Sequence, residues 1–380
     1  MLARLAIAGA LLLASAACAL AAPCTYVERG WGPAGTVAIR TERIATGLEV
    51  PWAVGFLPGG DALVTERPGR VRLLHGGRLE PGVVATVRIA RSSEGGLLGL
   101  AVDPRFTENR RFYVYYTGER DGRPVNRIAR WVLAADLRSA REDRVILDGI
   151  AAARFHDGGR IRFGPDGFLY VGTGDATSPS SAQDPASPNG KILRLTPDGG
   201  VPAGNPIAGS PVFASGLRNV EAFDWDGAGR LVIAEHGPSG EMGRTGNDRV
   251  LVARGGENFG WPEQFGCEAK GRFDAPLLAF REAMPPGGGS VYRGEAIPGW
   301  KGSFLVGTLG SRHLHRVALA EDGHLAGHEV YLQGDAPDGL GRIRDVVSAP
   351  DGSLWVTTSN CDGRGTCPPE KDGIVRISGR

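Results

Sequence analysis

Lysine is nearly absent from this 380-residue chain: of its 43 basic residues only Lys191, Lys270, Lys301 and Lys371 are lysines. Arginine, the planar fork suited to carboxylates, carries the rest of the positive charge. Charge of either sign is also not in excess. The net value of +1 removes the electrostatic case for nucleic acid or an anionic membrane surface as a partner. Beyond the N-terminus no apolar run approaches the ~20 residues that span a bilayer. There is no CxxCH motif, which excludes a covalently attached haem, and no CxxC pair to suggest a zinc site. No long stretch follows a helical period, so a helical bundle is excluded. What the chain has in abundance is glycine (59) and proline (26), beside 42% hydrophobic residues. That balance suits many short strands joined by tight turns around a sizeable core.

The N-terminus reads as a secretion signal. Arg4 supplies a short positive region, Leu5 to Ala17 an apolar run, and Ala19-Leu20-Ala21 a small-x-small cleavage site. The expected organisation is a signal peptide over 1–21 and one domain over 22–380, in a periplasmic or secreted protein. Cys24, Cys267, Cys361 and Cys367 then remain. An even number in an exported chain favours disulfides. Cys361 and Cys367 flank Asp-Gly-Arg-Gly-Thr and are expected to close a small loop. Cys24 and Cys267 would tie the N-terminus to a distant one.

A unit recurs six times: a turn rich in Gly, Pro and Asp, then an alternating apolar run. Its copies are Leu57 to Glu66, Asp103 to Tyr116, Gly164 to Thr173, Asp226 to Glu235, Pro298 to Gly307 and Ala349 to Thr358. They start roughly 45 to 75 residues apart, a blade-sized spacing. The expected fold is all-β, a six-bladed β-propeller; a two-sheet sandwich is the alternative. In a propeller, loops from every blade converge on the axis, so polar residues flanking the repeated strands are the places to look for chemistry.

Three clusters stand there. His156 precedes Asp157, Gly158, Gly159 and Arg160, and Asp175 follows at the end of the next strand. A hairpin can bring Asp175 back beside His156, either to support a general base or as a structural pair. Arg218 and Asn219 offer donors to an anionic or carbonyl-rich ligand. Downstream, Gly237 and Pro238 lie in an irregular turn whose carbonyls can face a hard cation such as calcium. Arg342 and Arg344 alternate and so project to one side of a strand, which implies an anionic partner.

The ordered set resembles the glucose/sorbosone dehydrogenase family, which includes soluble quinoprotein sugar dehydrogenases. It comprises Val50 to Val54, Thr65 to Gly69, Glu94 to Gly99, His156 to Arg160, Gly190 to Arg194, Gly216 to Asn219, Glu235 to Pro238, Asn258 to Pro262 and Arg342 to Asp345. The match runs from about Thr41 to Ile377. The resemblance implies a propeller with pyrroloquinoline quinone (PQQ) across its axial cleft. His156 matches the base that takes the anomeric proton of an aldose, and Asp175 the carboxylate behind it. Glu94, Arg218, Asn219, Arg342 and Arg344 match cofactor-binding positions. Gly237 and Pro238 match the carbonyls that hold Ca2+. The implied partners are a sugar substrate and a soluble electron acceptor, in a monomer or dimer that does not span a membrane. A calcium-dependent propeller lactonase and a non-catalytic binding propeller are the competing readings.

The chain departs from the family pattern at identifiable positions. Leu217 replaces a histidine, Gly310 falls near a cofactor-contacting lysine, and Glu94 replaces a glutamine. Phe155 replaces an aspartate that touches sugar, and Glu241 to Gly246 interrupt an acidic motif.

Overall fold

The computed structural model describes residues 24–90, 92–268 and 270–380. The expected signal peptide lies outside the described residues. The chain is built almost wholly of strands, which form six separate sheets, the blades of a β-propeller. Among the described residues, helix is confined to Phe106–Asn109 and three short 3-10 turns.

Each blade is an antiparallel meander whose first strand lines the axis. The inner strands are Pro51–Phe56, Leu97–Val102, Ile161–Phe163, Val220–Trp225, Pro286–Val291 and Ile343–Ser348, and they define blades 1 to 6. All six sequence repeats fall at one equivalent place, the turn after the inner strand and the second strand that follows. Asp166-Gly167 shows why the turn residues recur. Gly167 has φ 78°, a left-handed conformation that glycine adopts without a Cβ penalty. The second strands are buried along their whole length in blades 1, 3, 4, 5 and 6, which explains their nearly continuous apolar character.

The N-terminal segment closes the ring and straps it. Ile39–Leu48 pairs antiparallel with Asp372–Gly379, so blade 6 takes strands from both ends of the chain. Ahead of it, Thr25–Val27 adds a parallel strand to Leu278–Phe280 of blade 4, and Ala34 bridges Val330 of blade 5. Both expected disulfides are present, Cys24–Cys267 and Cys361–Cys367. The first anchors the strap to blade 4.

Near the axis one buried arginine joins four blades. Arg160, 2% exposed, lies over the Trp52 ring at 4.4 Å and pairs with Asp345 at 2.9 Å. Its Nε donates to the Glu221 carbonyl at 2.8 Å. Asp345 in turn accepts from Val54 N–H at 2.9 Å.

Candidate active site

Blade geometry decides where side chains meet. Each inner strand starts, and each second strand ends, at the same face of the ring. That face carries a cleft of about 650 Å³ lined by Trp52, Arg67, His156, Arg218, Arg344 and Asp362 among others, a size suited to a small organic ligand. A larger cavity, about 1390 Å³, opens at the opposite mouth among the inner-hairpin turns, but no histidine lines it.

His156 and Asp175 meet as the hairpin argument expected. His156 Nδ1 lies 2.7 Å from Asp175 Oδ1. Asp175 is held by Trp261 Nε1–H at 2.9 Å and by Thr177 N–H at 2.9 Å. The backbone of His156 is left-handed, φ 64°, and its N–H donates to Glu94 Oε2 at 3.0 Å. On the far side of the ring, His156 Nε2 is 2.8 Å from Arg218 Nη2. A guanidinium can only donate, so Nε2 is the unprotonated nitrogen and Nδ1–H donates to Asp175. The lone pair of a base therefore points into the arginine-lined cleft.

Arg342 and Arg344 both reach the cleft, 6% and 7% exposed. Their anionic partners include two from the chain itself. Arg342 is bidentate to Asp362 Oδ2 at 2.9 and 2.7 Å, and Arg344 Nη1 donates to Glu221 Oε2 at 2.5 Å. Burial opposes ionisation of Glu221, but Arg344, His236 and Arg160 hold its carboxyl below the usual carboxylate range. Asn219 is engaged within the protein: its Oδ1 accepts from Gly158 N–H at 2.9 Å and its Nδ2 donates to Glu221 at 3.1 Å. Glu94 is likewise tied on both oxygens, the second to Arg364 at 2.8 Å.

Gly237 and Pro238 are buried one step behind the lining residues His236 and Ser239. Among the described residues no donor bonds to either carbonyl, which leaves both oxygens available to a cation. No cluster of three His, Cys, Asp or Glu side chains among the described residues is arranged for a metal, so carbonyl ligation is the route this turn offers.

The departures from the family pattern acquire physical meaning here. Leu217 is fully buried and packs with Ile192, Val220, Phe223 and Phe259, so it takes no polar group from the cleft. Gly310 lines the cleft, and a Cβ there would come within 2.9 Å of Pro285 Cγ. Phe155 stands at the mouth between the guanidiniums of Arg154 and Arg364, 5.2 and 5.5 Å from its ring.

Several cleft residues escaped the sequence reading. Arg67 lines the cleft and, among the described residues, has no carboxylate partner; its guanidinium's one hydrogen bond is to the Asp362 carbonyl at 3.4 Å. Its place in the Thr65 to Gly69 motif was the available signal. Asp362 and Arg364 arrive on the loop closed by Cys361–Cys367. Among the described residues, three buried side-chain atoms on the cleft residues have no hydrogen-bond partner: Arg218 Nε, Asp157 Oδ2 and His236 Nε2.

Asp157 carries a pH signature. Burial pushes its carboxyl from 3.8 up to about 6, against donors from Asn126 and Ala153. A raised carboxyl favours the protonated fold. Its stabilising effect is complete below the unfolded value and is lost as pH rises through about 6. Asp157→Asn keeps the acceptor for Asn126 and Ala153 and removes the charge. The variant is expected to gain about 1–3 kcal/mol of unfolding free energy at pH 8 and almost nothing at pH 4. Urea melts at the two pH values measure it, and an equal effect at both contradicts the assignment.

Residues 48–367 match the family model described as glucose/sorbosone dehydrogenase. Among solved structures, a Thermus thermophilus protein assigned as an oxidoreductase (glucose dehydrogenase) is 41% identical with a TM-score of 0.81, covering 89% of this chain and 99% of its own. The PQQ-bound form of aldose sugar dehydrogenase from Streptomyces coelicolor is 32% identical with a TM-score of 0.79, covering 92% and 100%. Aldose sugar dehydrogenase YliI of Escherichia coli is 28% identical over 88% of this chain and 93% of its own.

Proposed function

The chain belongs to the glucose/sorbosone dehydrogenase family, and on that premise we propose that it is an exported quinoprotein, matured by removal of residues 1–21, that oxidises aldoses at C1 to lactones. The observation that carries the reading is the base. His156 Nε2 faces a cleft lined by Arg67, Arg218, Arg342 and Arg344.

PQQ fits the donor set. Arg67, Arg218, Arg342 and Arg344, with Asn219 beside Arg218, would hold its carboxylates and its quinone oxygens. The carbonyls of Gly237 and Pro238 would contribute to a Ca2+ site. Bound PQQ supplies the hydride acceptor and bound Ca2+ the Lewis acidity that favours reduction. The chain's own residues do the rest. His156 Nε2 takes the proton from the anomeric hydroxyl, and Asp175 stabilises the imidazolium that forms. The arginines stabilise negative charge as it develops, and Trp52 and Leu98 provide a flat, dry wall. With no haem motif in the chain, electrons leave to a soluble acceptor.

Phe155 replaces a polar sugar contact with an apolar wall, which cannot demand a particular hydroxyl. Broad aldose specificity follows. The test is titration of apo-protein with PQQ, with and without Ca2+, then dye reduction over a sugar panel. Calcium-dependent binding at or below micromolar and turnover of several aldoses are expected. No binding signal at micromolar PQQ and millimolar Ca2+ overturns the reading.

A further inference from the structure

Four arginines of the cleft are neutralised by carboxylates of the chain: beside the exposed Arg364–Glu94 pair stand three with buried guanidiniums, and those three are not equivalent. Asp362 has a 2%-exposed side chain. It is held by Arg342, by Ser359 Oγ at 3.1 Å and by Arg364 N–H at 2.9 Å. Glu221, 9% exposed, is held by Arg344 and Asn219. Pulling either carboxylate away would strand a buried charge, a strongly unfavourable step.

Glu241 differs. Its side chain is 28% exposed. Its Oε1 lies 2.6 Å from Arg218 Nη2 and 3.6 Å from His156 Nε2, and its other oxygen accepts from Ser239 N–H. Burial alone would raise its carboxyl, but Ser239 N–H and Arg218 hold it below the usual range. It sits at the tip of a turn pinned by the Ser239–Thr245 bridge. Gly240, Gly243 and Gly246 punctuate that turn, at φ 124°, 69° and 73°. The turn is also one of the places where the chain departs from the family pattern. Released from Arg218, this carboxylate passes into water rather than into protein.

We propose that Glu241 is a displaceable counterion, holding the anion position on Arg218 until an anionic ligand takes it. One guanidinium nitrogen, Arg218 Nη2, contacts both Glu241 and His156 Nε2. The exchange therefore hands one N–H of Arg218 Nη2 to the ligand, at the same nitrogen that donates to the base, and so places the bound anion next to His156 Nε2. Glu241 is a positioning residue in this scheme, since it acts through Arg218. The identity of the ligand rests on the quinone reading above; the exchange itself needs only an anion.

The experiment compares wild type with Glu241→Gln, which keeps the side-chain size and an acceptor for Ser239 N–H. Affinity of the apo-proteins for PQQ is read by quenching of tryptophan fluorescence in the presence of Ca2+. Removing a competing charge-assisted bond should tighten binding roughly 10-fold. A role confined to bracing the turn would leave affinity unchanged or weaken it, and either result overturns the proposal. The rigid dicarboxylate pyridine-2,6-dicarboxylate serves as a second probe that carries no quinone. If neither protein binds PQQ, the dehydrogenase reading falls while this probe still decides the exchange. Tighter binding by Glu241→Gln upholds it, and no gain overturns it. Matching near-ultraviolet circular dichroism of the two proteins checks that the turn substitution leaves the fold intact.

Discussion

Replacing His156 with glutamine is expected to cut turnover of the quinone-loaded protein by roughly 10²–10⁴-fold, the range lost with a general base. Glutamine keeps approximate volume and a hydrogen bond but has no basic nitrogen. The loss should fall on kcat and leave quinone affinity within a few-fold, because the cleft's arginines, Arg67, Arg218, Arg342, Arg344 and Arg364, carry its fixed positive charge. Asp175→Asn should be milder. It disturbs the tautomer set by the 2.7 Å contact at Nδ1 without deleting the base. Measuring kcat, KM and PQQ affinity for the two variants separates these effects. A His156→Gln protein that binds PQQ and turns over like wild type would place the chemistry elsewhere and leave the pair as a structural hydrogen bond.

Loss of the Cys24–Cys267 bond is expected to be the largest single stability effect. The bond spans a sequence separation of 243. Closing a loop of that length removes unfolded-state entropy worth about 5 kcal/mol in the chain-entropy model. The native contacts it secures are few. Thr25–Val27 is a three-residue strand, and it depends on that anchor to lie against Leu278–Phe280. Cys361–Cys367, with a separation of 6, should give about 2 kcal/mol by the same relation. Its larger effect should be local, because its loop carries Asp362 and Arg364 to the cleft. Urea unfolding of the two double-serine variants tests the ordering. A change below about 1 kcal/mol for Cys24→Ser/Cys267→Ser would show that the strap and the ring are energetically independent.

The repeat was legible because it is written in local terms. A turn such as Asp166-Gly167 and the apolar run Leu169–Gly172 need only neighbouring residues to act, so all six copies could be found before any sheet was assembled. The cysteine pairing was legible for a related reason, since four thiols with one short spacing leave few sensible connections. His156 and Asp175 are joined by a single hairpin, and a separation of 19 lies within reach of local reasoning. Family likeness supplied the remaining candidates, Glu94, Asn219, Gly237 and Pro238 among them, position by position.

By itself, then, the sequence determined a six-bladed all-β ring, its disulfides and the place of a histidine–aspartate pair. Only the tertiary structure decided which charges meet. Arg344 and Glu221 are separated by 123 residues, and Arg364 and Glu94 by 270; no spacing rule links them. Closing the ring brings the same end of every blade to one axis, and that convergence assigns each arginine its carboxylate. It also leaves Arg67 without one, turns Leu217 into the core, and sets Glu241 against the nitrogen that touches the base. Strand pattern is a property of neighbours in the chain, whereas electrostatic pairing at an axis depends on six blades at once.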